Sequence, residues 1–170
     1  MTTVPGAGRV FQVNVSDGGV PKRSVARARV GRLGVAGDRQ RDLEDHGGPE
    51  RAVCLFSLEH VLMLQAEGHP IYPGSVGENL TLAGIDLGAL APGDRLSIGA
   101  GDDAVELQIT SYTFPCTNIK DSFADGIFTR ISQKVHPGVS RLYARVLREG
   151  ELRPAMLVRV TRAAPASEAE

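Results

Sequence analysis

The segment TFPCTNIKD (residues 113–121) places Cys116 directly after a proline and four positions before Lys120. A thiol is a nucleophile or a soft metal ligand only as its thiolate, a form favoured by a nearby cation and by the unpaired amides at a helix start. A helix beginning near Thr117 would bring both to bear on Cys116. The competing reading is that an isolated cysteine is a small, buried, inert apolar side chain. Cys54, inside the apolar run AVCLF (52–56) with no cation beside it, fits that second description.

Two further stretches concentrate turn residues with polar groups. GDRQRDLEDHGGPERAV (37–53) carries His46, Gly47 and Gly48 just before an apolar run. A Gly-Gly pair allows positive φ and close approach of a ligand to the main chain, and it equally makes an ordinary tight turn. His46 is a candidate hydrogen-bond donor, metal ligand or turn-stabilising group. In GSVGENLTLAG (74–84), Gly74 and Gly77 bracket a turn, and Glu78 and Asn79 supply a carboxylate and an amide. Those two side chains either orient a ligand or cap the local backbone. The histidines at 46, 60, 69 and 136 are widely spread, and there is no HxxxH or CxxC pair, Walker A, GxGxxG or G-x-S-x-G pattern.

These residues must be positioned by a chain of 170 residues, a length that favours one domain with a substantial core. Nineteen basic and twenty acidic side chains leave a formal net charge of -1, so no global field draws the protein to nucleic acid or an anionic membrane. Any anion must be met locally. No apolar run approaches the roughly 18 residues of a membrane span, and MTTVPGAGRV lacks the basic and apolar regions of a signal peptide. A cytoplasmic protein with two free thiols is therefore expected.

Twenty glycines and ten prolines interrupt many short apolar alternations, the pattern of a barrel or sandwich. RVFQVNV (9–15), SVARARV (24–30), AVCLFS (52–57), DRLSIG (94–99), AVELQIT (104–110), RLYARVL (141–147) and MLVRVT (156–161) read as strands. Val105, Leu107 and Ile109 share one face, and Leu142, Ala144 and Val146 alternate with Tyr143, Arg145 and Leu147. SLEHVLMLQAEG (57–68) reads as a short helix with apolar Leu58, Val61, Leu62 and Leu64 at helical spacing, capped by Ser57 and stopped at Gly68. Ile119, Phe123, Ile127 and Ile131, four apart, suggest a second helical face interrupted by Gly126. Only the ends, MTTVPGAG and AAPASEAE, have the composition of frayed termini.

Taken together and in order, GDRQRDLEDHGGPERAVCLFSLEH, GSVGENLTLAGIDL, PGDRLSIG, FPCTNI and GVSRLYARVLREGEL resemble the MOSC domain family, shared with the C-terminal region of molybdenum cofactor sulfurases. Among its members the chain looks most like the free-standing bacterial ones of the YiiM type. The resemblance covers about residues 9–162 and implies a single MOSC domain folded as a closed, mostly antiparallel β-barrel with a few short helices. It implies a molybdenum cofactor of the molybdopterin type. Cys116 matches the family's characteristic cysteine, as catalytic sulfur or direct ligand to molybdenum. His46, Gly47 and Gly48, and Gly77, Glu78 and Asn79, fall on the segments that would line the same pocket; Arg51 and Lys120, by their positions in the sequence and not by the resemblance, are candidates to neutralise the cofactor's phosphate. The implied function is a sulfur carrier, or a reductase of small N-hydroxylated molecules served by an external reductase or sulfur donor. The alternative is a non-catalytic module that delivers cofactor or sulfur to partner enzymes. Where many relatives have a Gly-Asp pair near the last strand, this chain reads RPAML (153–157).

Overall fold

In the computed structural model, which describes residues 2–3, 7–39 and 47–165, the alternating segments become the staves of a barrel. In chain order the strands are β1 (Thr2–Thr3), β2 (Gly8–Val15), β3 (Arg23–Val25), β4 (Ala28–Gly31), β5 (Gly34–Val35), β6 (Val53–Ser57), β7 (Leu80–Ala83), β8 (Arg95–Ile98), β9 (Val105–Tyr112), β10 (Leu142–Arg148), β11 (Gly150–Leu152) and β12 (Leu157–Arg162). Strands β12, β8, β9, β10, β6, β7 and β2 are neighbours in that order, and pairing of β12 with β2 closes the ring. The closed, mostly antiparallel β-barrel that the sequence leads one to expect is thus observed, with seven strands in the ring. The pairing of β6 with β7 is parallel, and the chain crosses between them through helix α1 (Leu58–Ala66). Ser57 Oγ accepts the His60 N–H at 3.2 Å, and Gly68, at φ +96°, ends the helix.

Two packed regions follow from the side-chain alternation. Val53 and Leu55 of β6, Val105, Leu107 and Ile109 of β9, and Leu142, Ala144 and Val146 of β10 fill the barrel interior. Phe56, on the other face of β6, instead packs outside the barrel with Val61 and Leu64 of α1, Ile71, Val76, Ile119, Phe123 and Ile131. This second cluster covers β6 from outside, which is why all five of its positions are buried.

Three expectations need correction. The SVARARV segment is broken into β3 and β4, and β4 belongs to a separate small sheet with β5 and β11. The stretch 118–133 forms no α-helix: it holds two 3-10 segments, Thr117–Ser122 and Phe128–Ile131, and Ile127 is exposed. Gly126 at φ +70° lies between them, and the eclipsed i, i+3 stacking of a 3-10 turn disfavours longer runs. On α1, Leu62 faces solvent while Val61 and Leu64 carry the packing.

Candidate functional site

Cys116 is half-buried and opens into a cavity of about 330 Å³. Ser111 and Tyr112 at the end of β9, the following Phe114 and Pro115, and Tyr143 of β10 form its walls with Arg51. Tyr143 pairs with Cys54 across β10 and β6, and both alternate with interior residues, so they point away from the barrel core. The cavity therefore lies against the outer wall of the barrel, where β9 ends and β10 begins. Phe114 stands at the rim with 78% of its surface exposed.

Local chemistry explains how each group arrives. Pro115 keeps the chain extended, and Cys116 (φ -135°, ψ 174°) sits immediately before the 3-10 segment Thr117–Ser122, with its carbonyl accepting the Ile119 N–H at 3.2 Å. Ile119 is anchored in the outer cluster, so the start of this segment is fixed by packing. Gly48 adopts φ +88° before the single turn Pro49–Arg51, whose last residue enters the cavity wall. A side chain at Gly48 would meet open space, so conformation rather than crowding favours glycine there. The Arg51 guanidinium lies 5.8 Å from the Tyr143 ring centre, within cation–π range.

The second polar group is fully internal. Glu78 is 0% and Asn79 1% exposed. Glu78 accepts from the Gly74 amide at 2.8 Å and from Thr81 Oγ1 at 3.3 Å. Asn79 Oδ1 accepts the Cys54 N–H at 3.0 Å, and its Nδ2 donates to Asp38 at 2.8 Å. Asp38 is also held by Lys22 at 2.6 Å. Gly74, at φ +91°, is required because a Cβ would stand 2.4 Å from the Lys22 carbonyl oxygen. Burial pushes the Glu78 carboxyl up to about 7, against the pull of Arg141 and the Gly74 amide. Desolvation likewise raises the buried Cys54 thiol, leaving it a poor nucleophile, in keeping with its expected inert role. Tyr143 is raised by desolvation first, and by Cys54 and Cys116 nearby.

Of the residues singled out from sequence, Cys116 and Arg51 meet at the cavity. Gly47 and Gly48 precede the turn that delivers Arg51. Gly77, Glu78 and Asn79 do not line the cavity but form the internal network behind it, and Lys120 is exposed outside the lining. His46 lies outside the described residues. Sequence reasoning missed Tyr143 and Arg141, which strict alternation would turn toward solvent; the one available signal is Arg141 directly after the small residues of GVS, before the strand.

The fold and this cavity define a closed β-barrel with a cysteine-bearing pocket on its flank. The MOSC domain family matches residues 42–160, and the chain belongs to that family. It is 33% identical over 138 residues to the uncharacterized protein YflK of Bacillus subtilis, covering 80% of this chain and 60% of the relative. It is 30% identical over 95 residues to YiiM of Escherichia coli, covering 54% and 41% respectively. The chain thus spans three-fifths or less of these relatives. The crystal structure of YiiM from Geobacillus stearothermophilus superimposes with TM-score 0.72 and 26% identity over 94% of this chain and 78% of that one. The YuaD protein of Bacillus subtilis shares the fold, with TM-score 0.71 and 15% identity over 96% of this chain and all of that one. The likeness to the two YiiM proteins places the chain with the YiiM type within the family, and the likeness to YuaD shows the fold alone.

Proposed function

We propose that this protein binds a molybdenum cofactor at the flank cavity and uses Cys116 as its sulfur-handling group. The observation that carries this reading is a half-buried thiol opening into a cavity of about 330 Å³ that it shares with Arg51 and aromatic walls. That volume is at the small end of ligand pockets, but the pocket is open at the Phe114 rim. A soft thiolate suits molybdenum as a ligand. Arg51 suits a phosphate oxygen, and the rings of Tyr112 and Tyr143 suit the flat face of a pterin. The donor set therefore fits the group. When bound, the cofactor supplies a metal centre able to exchange electron pairs with a small N-hydroxylated substrate. Cys116 and Arg51 hold it; Gly47 and Gly48 lead into the turn that carries Arg51, and His46 is the residue before them in the sequence. Gly77, Glu78 and Asn79 act one layer back, by fixing β6 and β7 under the site, and Lys120 contributes positive charge from the surface.

In the sulfur-carrying role, the Cys116 thiolate attacks the outer sulfur of a donor persulfide. The new S–S bond forms as the donor's breaks, and the donor leaves as a thiol. The alternative, a module that hands cofactor or sulfur to a partner enzyme, uses the same residues. The test is to purify the full chain from a cell able to make the cofactor, measure molybdenum and pterin, and look by mass spectrometry for added sulfur on Cys116. Absence of all three would refute the proposal. Turnover with a chemical reductant alone favours the enzyme, and turnover only with a partner, as the cofactor changes hands, favours the module.

A further inference from the structure

We propose that Arg141 is a positioning residue for the reacting thiol, its buried guanidinium tying the turn that carries Glu78 to the segment that carries Cys116. The inference rests on the reading of Cys116 as the reacting group. Arg141 directly precedes β10 and is 6% exposed. Its Nη1 donates to the Val76 carbonyl at 2.7 Å, and its Nη2 donates to the Phe114 carbonyl at 3.4 Å. Its own carbonyl accepts the Thr113 N–H at 3.0 Å. One side chain thus spans both turns, and its main chain holds the base of the second.

The planar fork of a guanidinium can bridge two fixed carbonyls. Its Nε has no acceptor among the described residues, and no described carboxylate lies within ion-pair distance of it. A buried cation with an open donor costs stability. Stability is therefore a poor account of its presence. Its charge acts on Tyr143, a wall of the cavity, and on Cys54 behind that wall. What Arg141 supplies is a backbone lock beneath the segment that carries the thiol.

The test reads thiol chemistry in the full chain without added cofactor, so it stands or falls separately from molybdenum binding. The rate of Cys116 alkylation by iodoacetamide is followed by peptide mass spectrometry at pH 8, alongside thermal melts, for the native chain, Arg141→Gln and Arg141→Lys. With the segment unlocked and the half-buried thiol opened to the reagent, alkylation should run about tenfold faster in Arg141→Gln, and Arg141→Lys, a point charge without the planar fork, should recover less than half of that difference on a logarithmic scale. Native rates in a folded Arg141→Gln chain would overturn the proposal. So would rates in the two variants that simply follow their melting temperatures. Should Arg141→Gln not fold, Arg141→Lys alone decides: a native alkylation rate in that chain would overturn the proposal.

Discussion

Replacing Glu78 with glutamine isolates the energetic consequence of burying a carboxyl in the internal network. The native side chain is 0% exposed and retains its proton to about pH 7, against 4.5 for the group in a solvated chain. Between those values the folded protein binds more protons than the unfolded one, so stability falls as pH rises. The stabilisation is complete below pH 4.5 and lost above about 7; at about 1.4 kcal/mol per pH unit the total is about 3 kcal/mol. Glutamine keeps an acceptor for the Gly74 amide and cannot ionise. The variant should therefore gain on the native protein by about 2 to 3 kcal/mol between pH 5 and pH 8, or about 1 M in the urea midpoint for a slope near 2 kcal/mol/M. Urea titrations of both proteins at half-unit pH intervals measure this difference, and other titrating groups cancel in it. A difference constant across that range would refute the argument that desolvation dominates over Arg141 and the Gly74 amide.

Cys116→Ser should abolish sulfur uptake while changing stability by no more than about 0.5 kcal/mol, because the thiol makes no described hydrogen bond; paired mass spectrometry and melting curves check this. Gly74→Ala, at φ +91° and with its Cβ forced against the Lys22 carbonyl, should cost more than about 2 kcal/mol in urea denaturation. Ala155 adopts φ +71° in the RPAML turn. Ala155→Gly should raise stability by about 0.5 to 1 kcal/mol, the relief of a left-handed alanine less the added freedom of the unfolded chain, again read from urea midpoints.

The barrel was legible because its interior is written in local alternation. Val105, Leu107 and Ile109 sit on the inner face as their two-residue period predicts. The helix was legible because Ser57 and Gly68 punctuate it. What alternation could not convey is that the barrel's outside is covered as well. Tyr143 is only 6% exposed on a face that the period assigns to solvent, because the cavity segment and Arg51 pack over it. Arg141 is buried for a related reason, held between the Val76 and Phe114 carbonyls. The turn residues did mark Cys116 and the arm bearing Arg51. They gave no indication that Glu78 and Asn79 face inward, since a carboxylate and an amide beside glycines look the same whether they meet a ligand or the Gly74 and Cys54 backbones.

Ring closure depends on contacts made by the last staves: Val158 pairs with Gly8, and Leu157 with Arg9, across almost the full sequence. A nascent chain on the ribosome cannot complete the cylinder until β12 has emerged, and until then β8 and the Gly8–Arg9 end of β2, beyond its pairing with β3, each present a raw edge able to recruit another strand. Folding governed by such distant partners is intrinsically slow, so this protein should depend more on protection during synthesis than its modest size suggests.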